Sequence, residues 1–206
     1  ERDRARLRPR RAVSGAPAPD SALHPDFEAL HRDARAVLTA WAPADARQEG
    51  LRGQYVDFLD AHPDAMSRDC RVGHLTASAL VLDESRRHVL LTLHPKVGRW
   101  LQLGGHCEPG DASLRGAAIR ESVEEGGIVE VTMSAGPVHL DRHPVSCRGE
   151  MSEHLDVQYV ATVPDGSLPV MSDESDDLRW FALDDLPDDL DASMRSLLRA
   201  AEADGR

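Results

Sequence analysis

No apolar run in this 206-residue chain approaches the ~20 residues that a membrane-spanning helix needs. The Arg-rich start also lacks the apolar core of a signal peptide, so the sequence predicts a soluble protein. Cysteine is scarce. Cys70, Cys107 and Cys147 are odd in number, widely spaced and without a CxxC pair. That pattern indicates neither a disulfide framework nor a structural zinc site, and fits a reducing cytoplasm. Lysine is almost missing: Lys96 stands against 23 arginines, a bias we read as the mark of a GC-rich coding genome. Cations are outnumbered overall, and the net charge of -12 argues against broad nucleic-acid binding. An acidic enzyme working on an anionic substrate would need local cations or a metal to offset that charge. No internal repeat is visible.

With 41% hydrophobic residues, the chain can bury the core of one ordinary domain plus an appendage. Residues 1 to 23 are basic, then Ala/Pro-rich, without apolar periodicity, and read as a solvated tail. Residues 24 to 71 follow as a helical extension. Phe27, Leu30, Ala34, Val37, Leu38 and Trp41 recur at helical spacing up to Pro43, and Leu51, Tyr55, Phe58 and Leu59 do so again before Pro63, predicting a hairpin packed on the main domain. From residue 72 the period changes. Strands are predicted at 74 to 82 and 88 to 94, around the polar turn "ESRR", and a third along "RWLQLGG". A helix then starts near Asp111 or Ser113 and stops at Gly126-Gly127. Further strands are expected at about 128 to 133, 138 to 143, 154 to 163 and 178 to 183, with a last helix over 191 to 203.

The helix after "RWLQLGG" poses a problem. Glu121, Glu124 and Glu125 are spaced i, i+3 and i+4, so three like charges fall on one arc of its surface and repel one another. The one cation in that turn, Arg120, stands beside the cluster in the sequence, so a further cation is expected to come from outside the chain. The stretch from Gly105 to Ile128 resembles the Nudix box, in which glycine, five residues, glutamate and seven residues lead to Arg-Glu-apolar-x-Glu-Glu-x-Gly-apolar. Arg120, Glu121, Glu124, Glu125, Gly127 and Ile128 match their places, and Gly105 opens the motif. The departures are Asp111 for the first glutamate, one extra residue before Arg120, and Ser122 at an apolar position. The strands around the box and the ending "LRWFALDDLP" are similar to the rest of such a domain, over 72 to 206.

The resemblance implies an α+β fold: a Nudix-type mixed sheet sandwiched between helices, here preceded by the N-terminal helical hairpin. It implies that Glu121, Glu124 and Glu125, with the backbone carbonyl of Gly104, hold Mg2+, for which Mn2+ can substitute. Hard cations of this kind take oxygen ligands and join carboxylates to substrate phosphates. It also implies that Arg120 steadies a glutamate, and that Gly105 and Gly127 serve the shape of the loop and the helix end. The reaction implied is hydrolysis of a nucleoside diphosphate linked to another group. Bound cations would polarise the phosphoryl oxygens and activate a water. For the general base, Glu125 is the first choice, with Glu124 beside it in the box and Glu174 in the acidic loop "SDESDDLRW" as the alternative.

A second set of polar residues lies outside the box. "HLDRHPV" and "HLDVQYV" place His139, Asp141 and His143 on one side of a strand and His154, Asp156 and Gln158 on one side of another. A hairpin pairing 143 with 154 would bring them face to face. We read His143, His154 and Asp156 as a hydrogen-bonded network lining the substrate cavity, in preference to a second metal site or inert scaffold. Lys96, Arg99 and His106 flank the box and could neutralise phosphate. Pro144, 16 residues after the box, has a spacing that resembles ADP-ribose pyrophosphatases. Two rival classes share the fold. Isopentenyl-diphosphate isomerases use His, Cys and Glu around a metal, which the pair His106-Cys107 resembles, and some Nudix domains act as ligand sensors. The intact Arg-Glu-x-x-Glu-Glu favours hydrolysis. The partner expected is a small nucleoside diphosphate derivative, without membrane and without nucleic acid, in a monomer or a homodimer.

Overall fold

The computed structural model describes residues 25 to 147, 149 to 173 and 175 to 205. The tail expected over residues 1 to 23 lies outside them. After a 3-10 turn at Pro25–Phe27 come α1 (Glu28–Ala40) and α2 (Ala46–Ala61), then the strands β1 (His74–Asp83), β2 (His88–His94), β3 (Arg99–Leu101) and β4 (Leu103–His106). The helix α3 (Leu114–Gly126) leads to β5 (Thr132–Met133), β6 (His139–Cys147), β7 (Glu150–Val163), β8 (Asp177–Ala182) and α4 (Ala192–Asp204).

The sheet is mixed. Its spine is a ten-residue parallel pairing of β1 with β7, from His74 opposite His154 to Asp83 opposite Val163. On its other side β1 meets β4 along Thr76–Ala79 and then β2 at Val81 and Leu82, both antiparallel. β6 and β5 continue the sheet beyond β7, while β8 and β3 pair with β2. Side-chain alternation divides the core between two faces. Leu75, Ala77, Ala79 and Val81 face α1, α2 and α3, whereas Leu80, Leu82, Val89, Leu91 and Val160 face α4. The box helix and the C-terminal helix therefore lie on opposite faces, as the sequence predicts.

The strand expected along "RWLQLGG" is two strands. The chain changes partner at Gln102: Leu101 pairs with Thr92 of β2, and Leu103 with Ala79 of β1. The strand expected over 128 to 133 shrinks to Thr132–Met133, because Val129 is 78% exposed and has no face to bury. The polar hairpin forms in the predicted register, with His143 opposite His154, and extends to Cys147 and Glu150.

The N-terminal hairpin is part of the same core: Leu30, Ala34, Leu38, Tyr55 and Leu59 are buried among the strand residues of the α3 face. Along β6, Gln48 both donates to the Leu140 carbonyl (3.0 Å) and accepts from its N–H (2.7 Å), and the Tyr55 hydroxyl donates to the Asp141 carbonyl (2.7 Å). Backbone groups on the far side of β6 are thereby satisfied, and a sheet edge is covered. From α1, Asp33 accepts the N–H of Leu114 (2.8 Å), so the first helix helps to cap the box helix.

Candidate functional site

The box helix begins and ends where its sequence says. Ser113 is the N-cap, accepting the Gly116 N–H, and Gly127 takes the left-handed conformation (φ 68°) at the C-cap. Between them, Glu121 and Glu125 are nearly buried, with 8% and 9% exposure, while the Glu124 side chain is 57% exposed. Both buried carboxylates turn to β4. The Glu125 Oε2 accepts the Gly104 N–H at 2.9 Å. The Glu121 oxygens stand only 2.8 Å from where a Cβ on Gly105 would be, so a side chain there would displace the carboxylate. The double glycine of β4 is thus a backbone surface against which two box carboxylates pack.

Arg120 does not stand beside the cluster, as its place in the sequence suggests. Its guanidinium lies inside it. It donates in bidentate fashion to Asp111 (3.1 and 2.9 Å), to Glu121 (3.0 Å), to Glu124 (2.8 Å) and to the His106 carbonyl (2.9 Å). These carboxylates, the hydrogen-bonded Asp111 foremost, hold its pKa far above that of free arginine. Asp111, one methylene shorter than the usual glutamate, still reaches the arginine. One guanidinium among Asp111, Glu121, Glu124 and the nearby Glu125 leaves an excess of negative charge on hard oxygen donors. That donor set fits Mg2+ or Mn2+.

Gly105 and His106 are neighbours on β4, so their side-chain directions are opposite. The His106 imidazole therefore lies on the α4 face, alongside Thr76, His154 and Asp156. His143 joins them through the hairpin, its ring centroid 5.6 Å from that of His154. The box carboxylates and this polar group are thus on the two sides of β4, which among the described residues pairs only with β1. A ligand touching both would have to pass around that strand's other edge.

Asp156, expected to line the cavity, is 4% exposed and its carboxylate already accepts from Thr76 (2.9 Å), Ser78 (2.6 Å), Gln102 (3.1 Å) and Gln158 (2.9 Å). Thr76, Ser78 and Gln102 carry no signal in the sequence that ties them to it; the parallel β1–β7 register brings the first two, and the passage from β3 to β4 brings Gln102. The neighbouring histidines are shifted in opposite directions. A hydrogen bond donated to the Asp141 carboxylate raises the pKa of His143 against the opposing effect of burial. Burial, then the facing rings of His74, His106 and His143, pushes His154 down to about 3, and burial lowers His74.

Lys96 is exposed in the β2–β3 turn, and Arg99 reaches Asp191 at the start of α4 (3.6 Å). Glu174 lies outside the described residues.

The family model described as "NUDIX domain" matches residues 73–201. The chain belongs to the NUDIX domain family. A search of curated proteins returns no match. Among solved structures, the NUDIX domain of Shewanella oneidensis NrtR complexed with ADP ribose has a TM-score of 0.52 at 19% identity, covering 73% of this chain and 97% of that one. The MutT protein from Methanosarcina mazei Go1 has a TM-score of 0.51 at 20% identity, covering 66% and 99%. A NUDIX-family hydrolase from Clostridium perfringens is 28% identical over 64% of this chain and 96% of its own, with a TM-score of 0.49. The first two show that the Nudix fold is shared. α1 and α2 lie before the family match and complete the core of this particular Nudix domain.

Proposed function

We propose that this chain is a divalent-cation-dependent pyrophosphohydrolase that cleaves the diphosphate bond of a nucleoside diphosphate joined to another group, such as a nucleotide sugar or ADP-ribose. The observation that carries this reading is the packing of Glu121 and Glu125 against the glycine backbone of β4, next to a solvent-facing Glu124. Those three residues, with the Gly104 carbonyl, would hold Mg2+ or Mn2+. Such a cation polarises phosphoryl oxygens and lowers the pKa of a bound water. The chain's own groups then have two tasks. Arg120 holds Glu121 and Glu124 in place from behind, and Glu125, fixed by the Gly104 N–H, is oriented to take a proton from the attacking water.

Two further features support hydrolysis over the rival readings. An isomerase-like use of Cys107 would need a reactive thiol, yet its side chain is 4% exposed and burial pushes its pKa well up. A ligand sensor has no need of three box carboxylates and their arginine, all of which are present. In this reading residues 72 to 206 are the catalytic domain and residues 24 to 71 its helical extension. The three free cysteines suit a reducing, cytoplasmic setting. No described helix is long and apolar enough to cross a membrane.

The deciding experiment assays nucleotide sugars, ADP-ribose, dinucleoside polyphosphates, NAD(H) and nucleoside triphosphates with Mg2+, Mn2+ or EDTA, on wild type and Glu125→Gln. Release of nucleoside monophosphate or phosphate should require the cation and should fall roughly a hundredfold or more in the variant, as expected for losing one strong electrostatic contributor. Hydrolysis that persists in EDTA or in the variant would overturn the assignment.

A further inference from the structure

Three imidazoles from three strands meet on the α4 face, away from the box carboxylates. His74 opens β1, His106 closes β4, and His154 stands opposite His74 on β7. Their ring centroids form a nearly equilateral triangle, with sides of 5.0 Å for His74–His106, 4.9 Å for His74–His154 and 5.1 Å for His106–His154. Cys147, at the end of β6, joins two of them: its sulfur and one nitrogen each of His74 and His106 lie within 4.8 Å of one another, a set that His154 adjoins without being part of it.

Hydrogen bonding does not account for this arrangement. Buried polar atoms are almost always paired. The other buried histidines follow it, since His31 is bonded to the Leu59 carbonyl and His139 to Gln158. Yet His74 is 1% exposed, and although the Cys70 backbone lies close enough to act on its pKa, neither ring nitrogen makes a hydrogen bond of normal geometry among the described residues. The Nε2 of His154 is buried in the same state. Unpartnered nitrogens on His74 and His154, packed beside a third imidazole and next to a thiol, have the form of a ligand set.

We propose that His74, His106, His154 and Cys147 bind a zinc-class divalent cation, at a site separate from the carboxylates of the box. Imidazole nitrogen and thiolate sulfur suit borderline-soft cations such as Zn2+, whereas Mg2+ prefers oxygen. With His154 turned in as the fourth ligand, three nitrogens and one sulfur would complete a tetrahedron, and the site would be structural, without an open position for substrate. On binding, the Cys147 thiol gives up its proton to solvent. The cation reaches the site from a cleft of about 330 Å³ bordered by Arg68, Cys70, Cys147 and Ser152. Widely spaced cysteines show no zinc signature in the sequence because the four ligands come from four different strands.

The position gives the site a purpose. It ties β4 to β1, β7 and the end of β6, and the His106 carbonyl on β4 receives Arg120 from the box. A bound cation would therefore fix the strand against which Glu121 and Glu125 are arranged. This inference does not depend on the proposed hydrolysis, and its test reads metal binding directly.

The full chain is stripped with a chelator and titrated with Co2+, followed by absorption spectroscopy, with folding checked by circular dichroism. The wild type should take up one Co2+ showing the strong visible bands of tetrahedral coordination and a near-ultraviolet thiolate-to-cobalt band. Zn2+ should displace it at one equivalent, and excess Mg2+ should not. Cys147→Ser, at a half-buried position, should lose the thiolate band, and His74→Asn should weaken binding by more than about a hundredfold, beyond the effect of disturbing an outer partner. Glu125→Gln should retain the whole spectrum. If His74→Asn fails to fold, the Cys147→Ser spectrum decides. A folded wild type without a tetrahedral Co2+ spectrum, or a spectrum lost in Glu125→Gln but unchanged in Cys147→Ser, would overturn the proposal.

Discussion

Replacing Arg120 with methionine is the most informative perturbation of the box, because the side chain keeps its apolar length while four charged or polar partners lose their donor. Their worth differs. The Glu124 side chain is 57% exposed, so its pair contributes under about 1 kcal/mol. The Asp111 side chain is 9% exposed and bonded through both oxygens, so removing its partner strands a buried carboxylate. Breaking such a pair costs about 3–5 kcal/mol, and Glu121, 10% exposed, suffers in the same direction. With Arg120 itself 21% exposed, solvent recovers part of this, and we take about 3–4 kcal/mol for the whole change. In a domain of this size that corresponds to roughly 10 °C in Tm. Thermal unfolding in EDTA is the assay. Two controls carry the logic. Mg2+ should narrow the gap between variant and wild type, because a cation can now neutralise Glu121 and Glu124. Adding Asp111→Asn to the variant should recover stability, because it removes the stranded charge. A loss below about 2 °C in EDTA, or an Asp111→Asn change that adds a further full penalty, would show that the guanidinium is not the internal counter-ion described here.

Gly105→Ala should leave the fold intact but weaken Mg2+ binding about tenfold or more and lower turnover with it, since the new methyl would stand 2.8 Å from the Glu121 carboxylate; unchanged metal affinity by calorimetry would refute this. At Asp83, burial opposes ionisation, but the backbone and ring of His88, the Ser85 hydroxyl and the Arg87 N–H outweigh it and hold the pKa at about 2. The folded value lies below the usual carboxylate value of 3.8, so Asp83 stabilises the protein above pH ~3.8 by about 1 kcal/mol once solvent screening is allowed for, and this is lost as pH falls towards 2. Asp83→Asn should be destabilised by that amount at neutral pH and converge on wild type in acid; a difference independent of pH would sink the assignment.

What the sequence determined alone is whatever depends on neighbours along the chain. The i, i+3, i+4 spacing put Glu121, Glu124 and Glu125 on one helix, and Ser113 and Gly127 marked its ends, because capping and periodicity are local. Alternation likewise paired His143 with His154, since a hairpin has few registers that bury one face. Where burial is two-sided the local signal disappears. All ten residues of β1 are buried, so no alternation revealed which face His74, Thr76 and Ser78 would join. The parallel register with β7 decided that, bringing Thr76 and Ser78 to Asp156 and His74 to His154 across about eighty residues of intervening chain. The tertiary structure also moved Arg120 from beside the acidic cluster to its centre, because Asp111 waits on the loop that returns to it, and it set Gln48 against β6 and Asp33 at the start of α3. These contacts are made by side chains reaching across space, and their energies depend on burial that no stretch of sequence contains by itself.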